Sequence, residues 1–292
     1  MHTLECVTFS IVAYDPESGE VGAAIASGSF GVGKDCVWAR SGVGAVVTQS
    51  FTNVSYGPLG LALMAAGNAP DQAIDALRQT DGRAAFRQVA MVSAAGDANG
   101  YTGAECVAAA GHHGGTHYSA QANMASSEEV WRAMADAYQA AGGSLACRLV
   151  DGIEAGYAAG GDWRGLRSAA VLVVAGQPSA RPWETPVVDL RVDEHDNAIC
   201  ELRRLLRLDE WFARLGRIGP GASVDDEVAA AFEAGLSEPE PTWAALAAAS
   251  EGGDREAARR RFEALLKTEP RYAEIARRLP GVAEVAGLEP VE

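Results

Sequence analysis

The 292-residue chain is long enough for one large domain or a domain with a small appendage, and its 48% hydrophobic content supports a substantial core and excludes wholesale disorder. A formal net charge of −15 excludes nucleic acid as a partner, because that needs a basic footprint. No basic-then-apolar leader opens the chain and no apolar run nears bilayer-spanning length, so the expectation is a cytoplasmic protein with no membrane partner.

In chain order, the stretch "CVTFSIVAYD" reads as a strand from Thr8 to Tyr14, turned by Asp15-Pro16-Glu17-Ser18-Gly19 into a second strand over Glu20–Ser27. Gly42–Phe51 predicts a third strand, Pro58–Gly67 and Ala69–Gln79 two helices, and Gln88–Ala94 and Tyr101–Ala109 a strand pair around the turn "AGDANG". Glu128–Ala141 and Ser144–Ala159 predict amphipathic helices, the first ending at Gly142-Gly143. Strands follow at Ser168–Ala175 and Val187–Val192. Strand runs separated by helix pairs predict an α+β fold with antiparallel sheets rather than a doubly wound parallel one. Beyond His195 the pattern turns helical, over 201–216, about 226–236, 242–251, 254–267 and 271–279, with "GPGAS" and "SEPEP" as breakers. Trp243, Leu246, Gly253, Ala258, Phe262 and Pro270 are spaced much as in one tetratricopeptide (TPR) unit, read as a helical hairpin. The expected division is 1–206 and 207–292.

Several clusters could carry chemistry. In "AAGGDWRGLRSAA", Asp162 and Arg164 follow two glycines; they form either a helix-end ion pair or a substrate loop in which Arg164 takes a carboxylate and Asp162 orients it. In "DLRVDEH", Asp189, Arg191 and Asp193 share a strand face, which favours an ion-pair ladder, while Asp193 and His195 make a weak acid–base candidate. His112, His113 and His117 invite a metal, but they lack the i, i+4 helical frame and a nearby carboxylate, so no metal is expected. Gln121 and Asn123 beside them are better candidates as amide donors. The five cysteines are scattered and odd in number, which reads as free thiols. No nucleophile elbow, P-loop, dinucleotide fingerprint or zincin helix is present, and no cofactor is implied.

The ordered motifs "TFSIVAYDPESGEVGAAIASGSFGVG", "GVGAVVTQSFTNVSYGPLGL", "TGAEC", "AGYAAGGDWRGLRSAAVLVV" and "DLRVDEH" together resemble the bacterial and archaeal domain-of-unknown-function family one-zero-two-eight, over about Thr8 to Leu206. That family is grouped with the N-terminal nucleophile (Ntn) hydrolases. The resemblance implies a four-layer αββα sandwich and cleavage of an amide bond by the residue that begins the first strand, its own α-amine acting as base. An α-amine titrates near pH 8, so it accepts a proton at neutral pH without a histidine. The catalytic set expected on this basis is Thr8, Ser27, Gln49 and Asn123, with Arg148, Asp162, Arg164, Asp193 and His195 on the substrate. Thr8 is preceded by seven residues, so a free amine requires cleavage of Val7–Thr8. Gly28 stands where relatives often carry a basic residue, and Lys34 or Arg40 would compensate.

Two functions remain open. One is an amidohydrolase of a small-molecule or peptide-like substrate with Thr8 as nucleophile; the other is a non-catalytic binding or assembly protein with an unprocessed N-terminus. A homo-oligomer is expected in either case.

Overall fold

In a computed structural model, which describes residues 8–161, 165–181, 186–215 and 217–291, the opening strand lies inside a sheet with both of its faces covered. The chain divides into two compact units, Met1–Arg203 and Arg204–Glu292. The first is mixed α+β. One sheet contains β1 (Thr8–Tyr14), β2 (Val21–Ser27), β7 (Gly111–Gly115), β8 (Tyr118–Asn123), β9 (Ser168–Val174) and β10 (Pro186–Val192), in the order β10-β9-β2-β1-β8-β7. The other contains β3 (Val37–Arg40), β4 (Gly44–Ser50), β5 (Arg87–Ser93) and β6 (Ala98–Thr102), in that order. Every pairing is antiparallel.

Strand alternation sends β1 two ways. Phe9 and Ile11 meet the helix α5 (Leu145–Ala158), where Gly156 and Gly152 leave room: an added Cβ would lie 3.3 Å from Phe9 and 3.8 Å from Ile11. Beside α5 packs α4 (Glu129–Ala140), whose Val130, Trp131, Met134 and Tyr138 are buried. On the other face, Val12 joins Ala23 and Ile25 in one apolar cluster with Ala45, Val47, Ala90 and Val92 of the second sheet. That sheet buries its far face, through Val46, Val89 and Met91, against Leu61, Ile74 and Leu77 of α2 (Tyr56–Ala65) and α3 (Pro70–Thr80). A short α1 (Val32–Cys36) precedes β3.

Four strands differ from the sequence expectation. The segment 111–123, where glycines and histidines obscure any pattern, folds as the hairpin β7–β8. Its inner positions are the polar Ser119, Gln121 and Asn123, so burial reaches both faces of β8 without an apolar alternation. The strand expected over Tyr101–Ala109 begins earlier, at Ala98, and ends at Thr102, because only the first three residues of "AGDANG" stay clear of the β5–β6 ladder. Short β3 carried no period-2 signal at four residues.

The second unit is helical. It contains α7 (Val224–Glu233), α8 (Glu240–Ser250), α9 (Arg255–Thr268), α10 (Tyr272–Arg277) and α11 (Pro280–Ala286), and α6 (Ala198–Leu215) contains the division between units. Leu246, Ala258 and Phe262 share its core, with the Trp243 ring 6.1 Å from Phe262 and 5.9 Å from Tyr272. Asp254 caps α9 by accepting from the Glu256 and Ala257 amides. The terminal helix α11 went unread because it is only seven residues long and starts on Pro280. Among the described residues no helix is long and apolar enough to cross a membrane.

Candidate active site

The two sheets do not meet on apolar side chains along their whole length. At the end where β1 starts, the inner positions are Thr8, Ser10, Ser27, Gln121 and Asn123 on one sheet and Gln49 and Gln88 on the other, all nine-tenths or more buried. Buried amides must be hydrogen-bonded, and here the bonds fix each orientation. The Gln88 Nε2 shares its two hydrogens among three oxygens, the carbonyls of Gly111 (3.0 Å) and Ala122 (2.9 Å) and Thr102 Oγ1 (2.9 Å). Carbonyl oxygens only accept, so this end of Gln88 is its nitrogen. Its Oε1 then accepts from Gln49 Nε2 at 2.7 Å and Asn123 Nδ2 at 3.0 Å. Both of those groups also donate to the Thr8 carbonyl oxygen, at 2.9 and 3.4 Å. Ser10 Oγ donates to Gln49 Oε1 at 2.6 Å and accepts from Gln121 Nε2 at 3.3 Å.

Thr8 is thus held by its main chain while its side chain stays at the cluster's outer edge. Its Oγ1 lies 3.1 Å from Ser27 Oγ, and that oxygen also accepts the Ser29 amide at 3.1 Å. Gln49 and Asn123, both expected in the catalytic set, meet in this cluster. Each amide nitrogen has two hydrogens, and Thr8 O and Gln88 Oε1 take both. Gln88, which makes the assignment possible, went unnoticed in the sequence as one polar residue opening an apolar strand.

The backbone is strained at the same end. Ser50 and Met124, directly after Gln49 and Asn123, have φ of 67° and 52°, a region costly for residues with a side chain and concentrated at functional sites. Beside Ser50, Arg87 donates to Asp81 at 2.8 Å and to the Phe51 carbonyl oxygen at 2.5 Å. The bond from Arg87 holds the Asp81 carboxyl well below the usual carboxylate range. Burial, with the Asp81 charge close by, pushes the Tyr56 phenol up to about 12.

The other expected residues are distributed unevenly. Arg148 ion-pairs with Asp15 at 3.2 Å and stacks 4.6 Å over Tyr138. Asp15 follows the far end of β1, about 20 Å from Thr8 at the usual strand rise, so the structure does not bring Arg148 to the nucleophile position. Arg40 lies at that far end too, lining a cavity of about 480 Å³ with Ser93, Asp97 and Pro178. Asp193 and His195 are exposed at the correct end: the Asp193 carbonyl accepts from Gly31, and the His195 amide donates to Arg167, whose amide donates to Ser27 O. They follow β10, three strands from β1 and so about 14 Å to the side. Arg191 pairs with Asp189 at 3.2 Å as a ladder. Asp162 and Arg164 lie outside the described residues, as does Cys6. His112 Nδ1 is 3.0 Å from Thr102 Oγ1 and His117 Nδ1 is 2.8 Å from the Gly96 carbonyl oxygen. Burial and the neighbouring His113 lower the His112 pKa. Among the described residues no group of three metal-ligating side chains comes together.

The fold and site define an α+β protein whose two antiparallel sheets enclose a hydrogen-bonded amide cluster behind the first residue of an internal strand. Residues 8–202 match the family of unknown function DUF1028, and the chain belongs to that family. It is similar in structure to protein SPO2555 from Silicibacter pomeroyi, itself described as DUF1028, with 31% sequence identity, a TM-score of 0.65, and coverage of 73% of this chain and 95% of that one. No curated protein matches the chain.

Proposed function

We propose that the first unit is a four-layer αββα sandwich of the Ntn-hydrolase type and that it cleaves an amide bond in a small or peptide-like substrate. The observation that carries this is the treatment of Thr8. It begins an internal strand, two buried amides converge on its carbonyl oxygen, and its hydroxyl is left at the edge of the cluster against Ser27. Such pinning of the main chain fixes where a nucleophile's oxygen sits. After hydrolysis of Val7–Thr8, the Thr8 amine takes the proton of its own Oγ1 as that oxygen bonds to the substrate carbonyl carbon. The amine returns the proton to the departing nitrogen as the C–N bond breaks. Water then cleaves the resulting ester, restoring Oγ1–H and releasing the acid. Gln49 and Asn123 position Thr8, and the oxyanion falls to other donors. Tests are intact-mass measurement and an amide-library screen. A chain beginning at Thr8 and hydrolysis that Thr8→Ala abolishes support the proposal; full activity in Thr8→Ala removes it.

A second proposal, a binding protein without turnover, is favoured by the saturation of both amide groups. A chain retaining residues before Thr8, with ligand binding but no hydrolysis, would select it. In either case we propose that the TPR-like hairpin α8–α9 serves assembly into a homo-oligomer, which a monomeric mass in light scattering would exclude.

A further inference from the structure

The loop between α3 and β5 carries a cation placed unlike its neighbours. Arg87 is buried and neutralised by Asp81. Arg83, four residues earlier, is exposed, and among the described residues its guanidinium has no carboxylate within ion-pair distance, in a chain with 39 acidic and 24 basic residues. An exposed arginine is ordinarily a mobile surface charge. This one rests on two rings: its guanidinium carbon is 5.2 Å from the Phe86 centroid and 5.7 Å from that of Phe51, and the rings pack edge-to-face at 5.5 Å. Stacking on a ring restrains the plane of a guanidinium while leaving N–H groups at its edge to donate.

The seat is anchored. Ala84 N donates to Asp81 O at 3.0 Å, Phe86 N to Arg83 O at 3.0 Å and Glu105 N to Ala85 O at 2.8 Å. It also stands at the end of the sheets that Thr8 occupies. Phe51 is two residues past Gln49 and Phe86 two before Gln88, a step of about 7 Å in extended chain from the two glutamines that pack around Thr8.

We propose that Arg83, held on Phe51 and Phe86, receives an anionic group of the ligand, so that the substrate class is an amide or peptide-like molecule carrying a carboxylate. This rests on the assignment of the Thr8 end as the binding site and gives Arg83 the task that sequence reasoning gave to Arg148 and Arg164. A planar, paired-donor cation suits a carboxylate, and a chain of net charge −15 needs a committed cation if an anion is to approach.

The test is equilibrium binding of a panel of N-acetyl-amino acids and the matching N-acetyl-amino-acid amides, which differ only in the terminal charge, to the full chain. The acids should bind about tenfold or more tightly than their amides, as a charge-assisted bond predicts. Arg83→Gln should erase that preference, Arg83→Lys should keep part of it, and neither should shift the melting temperature beyond about 2 °C, as for other exposed positions. Thr8→Ala should retain it, because the test reads binding and not turnover. Acid and amide binding alike in the unaltered chain, no binding of either, or an undiminished preference in Arg83→Gln would each overturn the proposal. Charge-selective binding without hydrolysis would leave Arg83 assigned and defeat only the amidohydrolase.

Discussion

The two ends of the layer between the sheets are built by opposite means. At the end where β1 finishes, Val12, Ala23, Ala45, Val47, Ala90 and Val92 fill the space with aliphatic carbon. At the end where it starts, Ser10, Gln49, Gln88, Gln121 and Asn123 fill a comparable space with amides and a hydroxyl. The strands are the same, so backbone pairing does not explain the change. Aliphatic packing is non-directional and tolerates small shifts, whereas a closed set of hydrogen bonds dictates where each atom lies. The end that fixes the Thr8 carbonyl oxygen to two donors is the end given the directional chemistry. Such a network is useful for positioning and unforgiving when broken, because a buried group that loses its partner bears the full desolvation cost.

The comparison breaks most severely at Gln88. In Gln88→Leu, a side chain of similar size removes the acceptor of Gln49 and Asn123 and the donor to Gly111, Ala122 and Thr102. With several buried groups orphaned at once, stability should fall by about 4 kcal/mol, read from urea unfolding. Arg87→Met comes next. It leaves the Asp81 carboxylate buried without its cation, at about 3 kcal/mol. The same pair gives a pH dependence of defined sign. The folded Asp81 pKa lies below its ordinary value of 3.8, so its contribution is complete above that value and is lost as pH falls through it towards the lower folded one. Acid unfolding should therefore begin below about pH 4 in the parent, and Arg87→Met should show a weaker stability loss over that interval. Val92→Ala at the aliphatic end, where Val92 pairs with Ala45 and Ala98, should cost about 2 kcal/mol while leaving the geometry at Thr8, and any hydrolysis, largely intact. A comparable loss of activity per kcal/mol at both ends would erase the functional distinction between them.

Legibility in the sequence followed this same division. The β1–β2 hairpin, α3, α4, α5, β5 and β9 are visible because their apolar residues keep the period of the element, as in Val130, Trp131, Met134 and Tyr138 on α4. Strand β8 is not, since its inner face is Ser119, Gln121 and Asn123, and a strand with a buried polar face offers no alternation to read. Thr8, Ser27, Gln49 and Asn123 are legible as a set through the family motif, but which hydrogen goes to which oxygen is not, because it depends on Gln88 from a third strand. Arg148 lies in a helix that looks well placed along the chain, but only the strand direction reveals that it serves the opposite end of β1. Arg83 carried no motif at all, and its seat exists only once Phe51 and Phe86 are side by side.

The smallest change sharpens the comparison furthest. Ser10 links Gln121 to Gln49, and Gln121 Oε1 is buried with no partner among the described residues. Ser10→Ala should cost about 1 kcal/mol because it strands the Gln121 nitrogen and one lone pair of Gln49. If the amide end served packing alone, converting Gln121 to leucine in the Ser10→Ala background would recover the Gln121 share of that loss, since replacing both partners of a bond by apolar groups is nearly neutral. Stability should recover in this way. Turnover should not, because Gln49 would no longer be held from behind and could rotate away from the Thr8 carbonyl oxygen. Measuring unfolding and hydrolysis on the two variants and the parent separates the roles, and recovery of both together would reduce the amide end to an alternative way of filling space.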